Sequence, residues 1–230
     1  MQLDSELIRL SPLHNRHQSM KASLNLWNGW LVPEVYTSAA EESVALRDCV
    51  GLGDISNRGK LTLKGAKADG IITAILGTTP TKHGDVIEVK TSQISVAKLT
   101  PDEFLILTPQ SEKKDLAVSL ESEITSYNAF VSVIDQTSGL VGLLISGPKS
   151  TRVTSKLCAL DFSPTEFPNL HVAQSSFAKV RATIIRHDRG DSETFELYAD
   201  RSYADYLWDT ILDAGNEFDI QPVGWKAVGL

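Results

Sequence analysis

Three short segments combine residue types that could do chemistry. DISNRG, Asp54 to Gly59, sets a carboxylate, a hydroxyl, an amide and a guanidinium side by side. It reads equally as a binding site or as a turn in which Asp, Ser and Asn bond their own backbone. HDRGDSE, His187 to Glu193, has the composition of a charged catalytic cluster, yet its Asp, Gly and Ser are turn formers, so a solvated hairpin between two strands is expected. His14 and His17 form a His-x-x-His pair, but a catalytic zinc takes three protein ligands and no third lies nearby, so no metal site is expected. Cys49 and Cys158 lack Cys-x-x-Cys or Cys/His spacing and suggest neither zinc nor a disulfide framework. Gly51 and Gly53 are followed by Ser56 where a third glycine would complete Gly-x-Gly-x-x-Gly, and there is no Walker loop and no Gly-x-Ser-x-Gly elbow.

The elements that position these residues are well signalled. Ser38 and Glu41 have capping-box spacing, Val44, Leu46 and Val50 follow as a helix, and Gly51 is a natural left-handed stop. Leu61 and Leu63 alternate with Lys60, Thr62 and Lys64 as a half-buried strand. Ala68, Ile71, Ile72, Ile75 and Leu76 have helical spacing closed by Gly77. Strands DVIEV (85–89), QISVAKL (93–99) and EFLILT (103–108), a polar helix over about residues 112–124 and the strand FVSVI complete this half. The segment GLVGLLISGPKSTRVTSKL then repeats the opening move, with Pro148 at the favoured first turn of a helix. LKGAKA (63–68) and ISGPKS (145–150) share glycine, a small residue or proline, lysine and a small residue at the same strand-to-helix joint. Strands KVRATIIR (179–186) and TFELYA (194–199) follow. A last helix has Ser202 and Asp205 as capping box, Tyr203, Leu207 and Ile211 on one stripe and Gly215 as its stop. Two copies of strand, helix, strand, strand, helix predict an α+β fold with antiparallel sheets, each half ferredoxin-like.

A chain of 230 residues with 42% hydrophobic content can bury a proper core. A net charge of −7 without a basic tract removes the electrostatic footprint of a nucleic-acid or anionic-membrane binder, leaving small ligands or protein partners. No apolar run approaches a membrane span and the start MQLDSELIRL is not a signal peptide, so a reduced, cytoplasmic location is expected.

The segments SPLHNRHQSM, WNGWLVPEVYTSAAEESVALRDCVGLGDISNRGKLTLKG, ISGPKS and FELYADRSYADYLWDTILDAGNEFDIQPVG together resemble the folate-binding part of the glycine cleavage T-protein (aminomethyltransferase) family over about residues 11 to 224. RSYADYLWDTILDAG is similar to the gamma subunit of heterotetrameric sarcosine oxidase, a chain of similar length. The resemblance implies that Asp54, Ser56 and Arg58 border a folate pocket and that Glu196 offers a pterin its two acceptor oxygens. Arg186 is retained from the family's Arg-Thr-Gly-Tyr-Thr-Gly hairpin. Arg58 stands where the family usually has methionine, and there it either reaches a folate carboxylate or fills the pocket. The family's catalytic aspartate corresponds to Ser92 or Gln93, neither of which can stabilise positive charge. Its strand tyrosine corresponds to Asp85 and its last arginine to Val228.

The resemblance therefore implies two intertwined halves (about 55–136 and 137–221) in a folate-binding-type core (25–224), with an N-terminal extension (1–24), a C-terminal tail (225–230) and no C-terminal barrel. It implies a tetrahydrofolate-binding-type subunit of a one-carbon system, not catalytic alone, working with oxidase or methyltransferase subunits on a methylated amine. A free-standing tetrahydrofolate-dependent transferase and a purely structural gamma-type subunit are the alternatives.

Overall fold

The computed structural model describes residues 7–89, 92–128 and 130–229. Strand β1 (Arg9–Leu10), helix α1 (His14–Ser19), β2 (Ser23–Trp27) and β3 (Trp30–Val35) open the chain, and the strands form a small sheet of order β1-β3-β2. Helix α2 (Ala39–Asp48) begins at Ser38, whose hydroxyl accepts from the Glu41 amide at 3.2 Å while donating to the Glu41 carboxylate at 3.0 Å. The helix stops before the expected glycine. Val50 and Gly51 belong instead to β4 (Val50–Asp54), which pairs with two other strands, and those ladder bonds override the local helical pattern. Gly51 serves close approach there, since a Cβ would lie 2.5 Å from Leu46.

The first half continues with β5 (Gly59–Lys64), α3 (Ala68–Leu76), β6 (Val86–Glu88), β7 (Ser95–Thr100), β8 (Glu103–Thr108), α4 (Lys113–Ser126) and β9 (Ser132–Asp135). Its antiparallel sheet has order β6-β7-β8-β5-β9. Leu61, Leu63, Phe104 and Ile106 on one face pack under Ile71 and Ile72 of α3 and Leu116 and Leu120 of α4. The second half has β10 (Leu140–Ser146), α5 (Ser150–Leu157), β11 (His171–Phe177), β12 (Val180–Arg186), β13 (Thr194–Asp200), α6 (Ala204–Gly215), β14 (Ile220–Val223) and α7 (Trp225–Val228). These strands and β4 form a six-stranded sheet of order β11-β12-β13-β10-β4-β14, antiparallel except for the β14–β4 pair. Its outer face packs under α6 through Leu143, Ile145, Phe195, Leu197, Leu207 and Trp208.

The remaining faces of the two sheets meet each other through Leu105, Leu107, Leu144, Val172, Ile185 and Tyr198. Glu196 alternates with Phe195 and Leu197 and so points into this inter-sheet layer rather than to solvent, which leaves it 0% exposed. The opening and closing segments join the core too: Leu13 is buried among the second half's residues, and Trp225 stacks on Trp27 with ring centroids 4.8 Å apart.

The two strand-to-helix joints superpose in their bonding. Gly65 and Gly147 have φ of +148° and +125°, a region that excludes most side chains. Their amides donate to Asp102 and Glu193 carbonyls at 2.8 and 3.0 Å, and their carbonyls accept from Ala68 and Ser150 amides, both at 3.0 Å. Pro148 precedes α5 by two residues rather than opening it. A second repeated motif escaped the sequence comparison. Asp54-Ile55-Ser56 and Asp135-Gln136-Thr137 are matching turns, each aspartate accepting the amide two residues on at 2.9 Å. Each hydroxyl then caps the other half: Ser56 accepts the Gly142 amide at 3.1 Å and Thr137 the Lys60 amide at 3.0 Å.

Helix α6 departs from expectation at both ends. In place of a Ser202–Asp205 box, a 3-10 turn (Arg201–Tyr203) leads into it, capped by Asp200, which accepts the Ser202 amide at 2.9 Å. Gly215 is not the left-handed residue; Asp219 is, at φ +57°, while a Cβ on Gly215 would lie 2.7 Å from Ile220. Among the described residues, no helix is long and apolar enough to cross a membrane.

Candidate functional site

A cleft of about 420 Å³ opens at the edge of the inter-sheet layer. Five segments wall it: the β2–β3 turn at Trp27 and Asn28, the DISNRG turn at Asn57 and Arg58, the β6–β7 connection at Glu88, Ser92 and Gln93, the start of the β8–α4 loop at Pro109 to Ser111, and the β12–β13 hairpin at His187 to Arg189. Gly229 closes one side.

At the floor lies a buried ion pair. Arg58 directs Nη1 to both oxygens of Glu196, at 2.7 and 2.8 Å, and Nη2 to Ser95 Oγ at 3.0 Å. Glu196 also accepts from the Tyr198 hydroxyl at 2.7 Å and from Arg189 Nη2 at 3.3 Å, and His187 Nδ1 lies 3.5 Å away. Burial pushes Glu196 up, but Arg58, His187 and Arg189 outweigh it and hold the carboxyl well below the usual carboxylate range. Burial likewise opposes the charge on Arg58, and Glu196 and Tyr198 reverse that effect, leaving it raised. His187 is raised above its ordinary value, first by Glu196 and then, against burial, by Glu88, whose Oε1 is 2.6 Å from Nε2.

The DISNRG turn therefore does both things that its composition allowed. Its first part is structural: Asp54 accepts from the Ser11 hydroxyl, from His17 Nε2 at 2.7 Å and from the Ser56 amide, and the Tyr36 hydroxyl meets His17 Nδ1 at 2.8 Å. Burial pushes Asp54 up, and the His17 and Ser11 bonds bring it below its ordinary value. His17 is thus the buried partner of a carboxylate. The last part of the turn delivers Arg58 to the cleft.

The chain matches the family model of the GCVT N-terminal domain over residues 13–230. It belongs to this family. Aminomethyltransferases of Thermotoga sp. (strain RQ2) and Moorella thermoacetica are 26% and 25% identical to it, each match covering 96% of this chain and 62% of the relative. The GCVT-domain chain thus spans about three fifths of the length of these relatives. Its fold is that of glycine cleavage system aminomethyltransferase T from Bartonella henselae, with TM-score 0.80, 19% identity and coverage of 96% of this chain and 60% of that one. It also matches a chain of heterotetrameric sarcosine oxidase from Corynebacterium sp. U-96, with TM-score 0.70, 22% identity and coverage of 94% of this chain and 98% of that one.

Of the five residues expected to bind, this GCVT domain brings only Arg58 to the cleft wall, with Glu196 directly beneath it. Asp54 and Ser56 face the interior. Arg186 is turned to Asp188, Glu193 and the Phe167 carbonyl and acts as the brace of the hairpin. That hairpin is where sequence reasoning fell short: His187 and Arg189 fold over Glu196 instead of standing in solvent. The signal available was their density of charge next to a strand glutamate. Tyr198, on the same strand face as Glu196 two residues on, could have been found from the period of two.

A pterin offers its N–H and exocyclic amine to a carboxylate, and the acceptor oxygens of Glu196 are both taken by Arg58. The residues as they stand do not fit that mode of folate binding.

Proposed function

We propose that this chain is an aminomethyltransferase-like subunit of a one-carbon system, of the kind that demethylates or oxidises a methylated amine, and that the chemistry is done by partner chains. The observation that carries this reading is that, among the described residues, every carboxylate side chain at the cleft already has an internal partner. Glu196 is paired with Arg58, Glu88 with His187 and Asp188 with Arg186, while Ser92 and Gln93 stand where the resemblance places a catalytic aspartate. The other candidates for a substitute acid are no freer. Asp54 is locked to His17, and Asp85, at the opposite end of β6 from Glu88, bridges to His171, accepts from the Lys82 amide and does not line the cleft. A transferase needs a carboxylate where positive charge develops, and the loss of one such group costs on the order of a hundredfold to a thousandfold in rate. Likeness along nearly the full length of a chain from a heterotetrameric oxidase supports the subunit role over the free-standing transferase.

The test is an assay of the purified chain for formation of methylene-tetrahydrofolate from aminomethylated carrier protein. Turnover is expected to be negligible. A family-typical rate, abolished by Asp85→Asn or Asp188→Asn, would overturn the reading.

A further inference from the structure

The Arg58 guanidinium has the shape of a ligand rather than of an ordinary core residue. It comes from a turn, not from a sheet or helix, and it is at once part of the cleft wall and the only side chain that contacts both oxygens of Glu196 among the described residues. It is 9% exposed while its partner is fully buried, so it stands between solvent and the carboxylate like a plug. The Tyr198 and Arg189 bonds reach Glu196 at one oxygen each, and Ser95 and the Gln93 carbonyl steady the other end of the guanidinium at 3.0 and 3.5 Å. Removing Arg58 would leave a desolvated acceptor pair at the bottom of a cleft roomy enough for a bicyclic heterocycle.

We propose that Arg58 is the internal occupant of a site on Glu196 that is built for an amino-amidine edge, so that the chain as it stands excludes guanidines, 2-aminopyrimidines and pterins, and gains them when Arg58 is removed. The chemistry is that of competition: Arg58 meets both oxygens of Glu196 through Nη1 alone, and the paired N–H donors of a 2-amino, N3–H edge need the same two oxygens. Arg58 is then the specificity-determining residue of the cleft. The inference goes beyond the subunit reading and fails separately from it, because equilibrium binding, not turnover, decides it.

The experiment compares wild type, Arg58→Met and Arg58→Met/Glu196→Gln, with tetrahydropterin and millimolar methylguanidinium as probes and sodium chloride as ionic control. Wild type is expected to show no saturable binding of either probe. Arg58→Met, with a charge stranded in the interior, is expected to melt lower by on the order of 10 °C. It should recover part of that loss with a concentration dependence that saturates. The double variant, with no carboxylate to satisfy, should respond to neither probe. Saturable pterin binding to wild type overturns the proposal by itself, even if Arg58→Met does not fold. So does a probe response in the double variant equal to that of Arg58→Met.

Discussion

Glu196 is a carboxylate that burial alone would protonate, and its neighbours keep it charged. The consequence for pH has a definite sign. With its folded pKa below the ordinary 4.5, the group contributes stability that is complete above that value and is lost as pH falls beneath it. His187 works on the other side. Its folded pKa is raised above 6.5 by Glu196 and Glu88, with burial and the Arg58 charge opposing, so its contribution is complete below 6.5 and is lost as pH rises through the raised value. Urea-unfolding free energies should therefore fall beneath pH 4.5 in wild type and in His187→Asn alike, and the stability that wild type holds over this variant through the imidazole should shrink as pH rises above 6.5. Equal slopes above pH 6.5 in wild type and variant would show that the imidazole is uncoupled from Glu196.

The elements tolerate change very unevenly, and glycines reveal where. Gly147 sits at φ +125° with the position of a Cβ 2.6 Å from the Cys49 carbonyl, so the chain end of α2 presses against the β10–α5 joint. Gly147→Ala has both strain and a clash with backbone that cannot move aside, and should cost roughly 2–4 kcal/mol. Gly70 is the contrast. It lies inside α3, where a Cβ would find its nearest atom 3.7 Å away on Tyr127, an ordinary contact. Gly70→Ala should stabilise the chain by about 0.5–1 kcal/mol through helix propensity. Chemical denaturation of the two variants beside wild type checks both signs, and the reverse order would mean that the joints are not the rigid points of the fold.

In the whole molecule the halves are locked where their turns cross. Lys60 is fully buried, and its Nζ donates to the carbonyls of Ser56, Arg58 and Thr137 at 2.8, 2.9 and 3.1 Å, drawing together the DIS turn and its counterpart from the other half. Burial pushes this amine down to about 7, with Asp54 pulling it the other way. The turn that one half sends across therefore depends on the strand of the other, so neither sheet is expected to survive alone. Lys60→Met leaves three interior carbonyls without a donor and should cost about 3 kcal/mol or more. More tellingly, hydrogen exchange should quicken together in β8 and β13, the two sheets' central strands, with a single unfolding transition. Loss of protection in one sheet while the other keeps it would count against an interlocked core.

Residue order alone determined the features that depend on neighbours in sequence. The period of two marked β5, β8 and β13, the period of 3.6 marked α3 and α6, and the glycine before each half's first helix marked the repeat, because backbone dihedrals and side-chain facing are local properties. The family motifs were legible for the same reason. Tertiary structure decided the rest. Val50 and Gly51 look helical until β10 and β14 pair with them. Glu196 could have faced water, and it is buried because a second sheet closes over its side of β13. Arg58 meets Glu196 across 138 residues of chain, and His187 and Arg189 arrive from a hairpin that looked solvated. A cleft is made of side chains far apart in sequence, and which charges neutralise one another there follows from how two sheets pack, which no local pattern encodes.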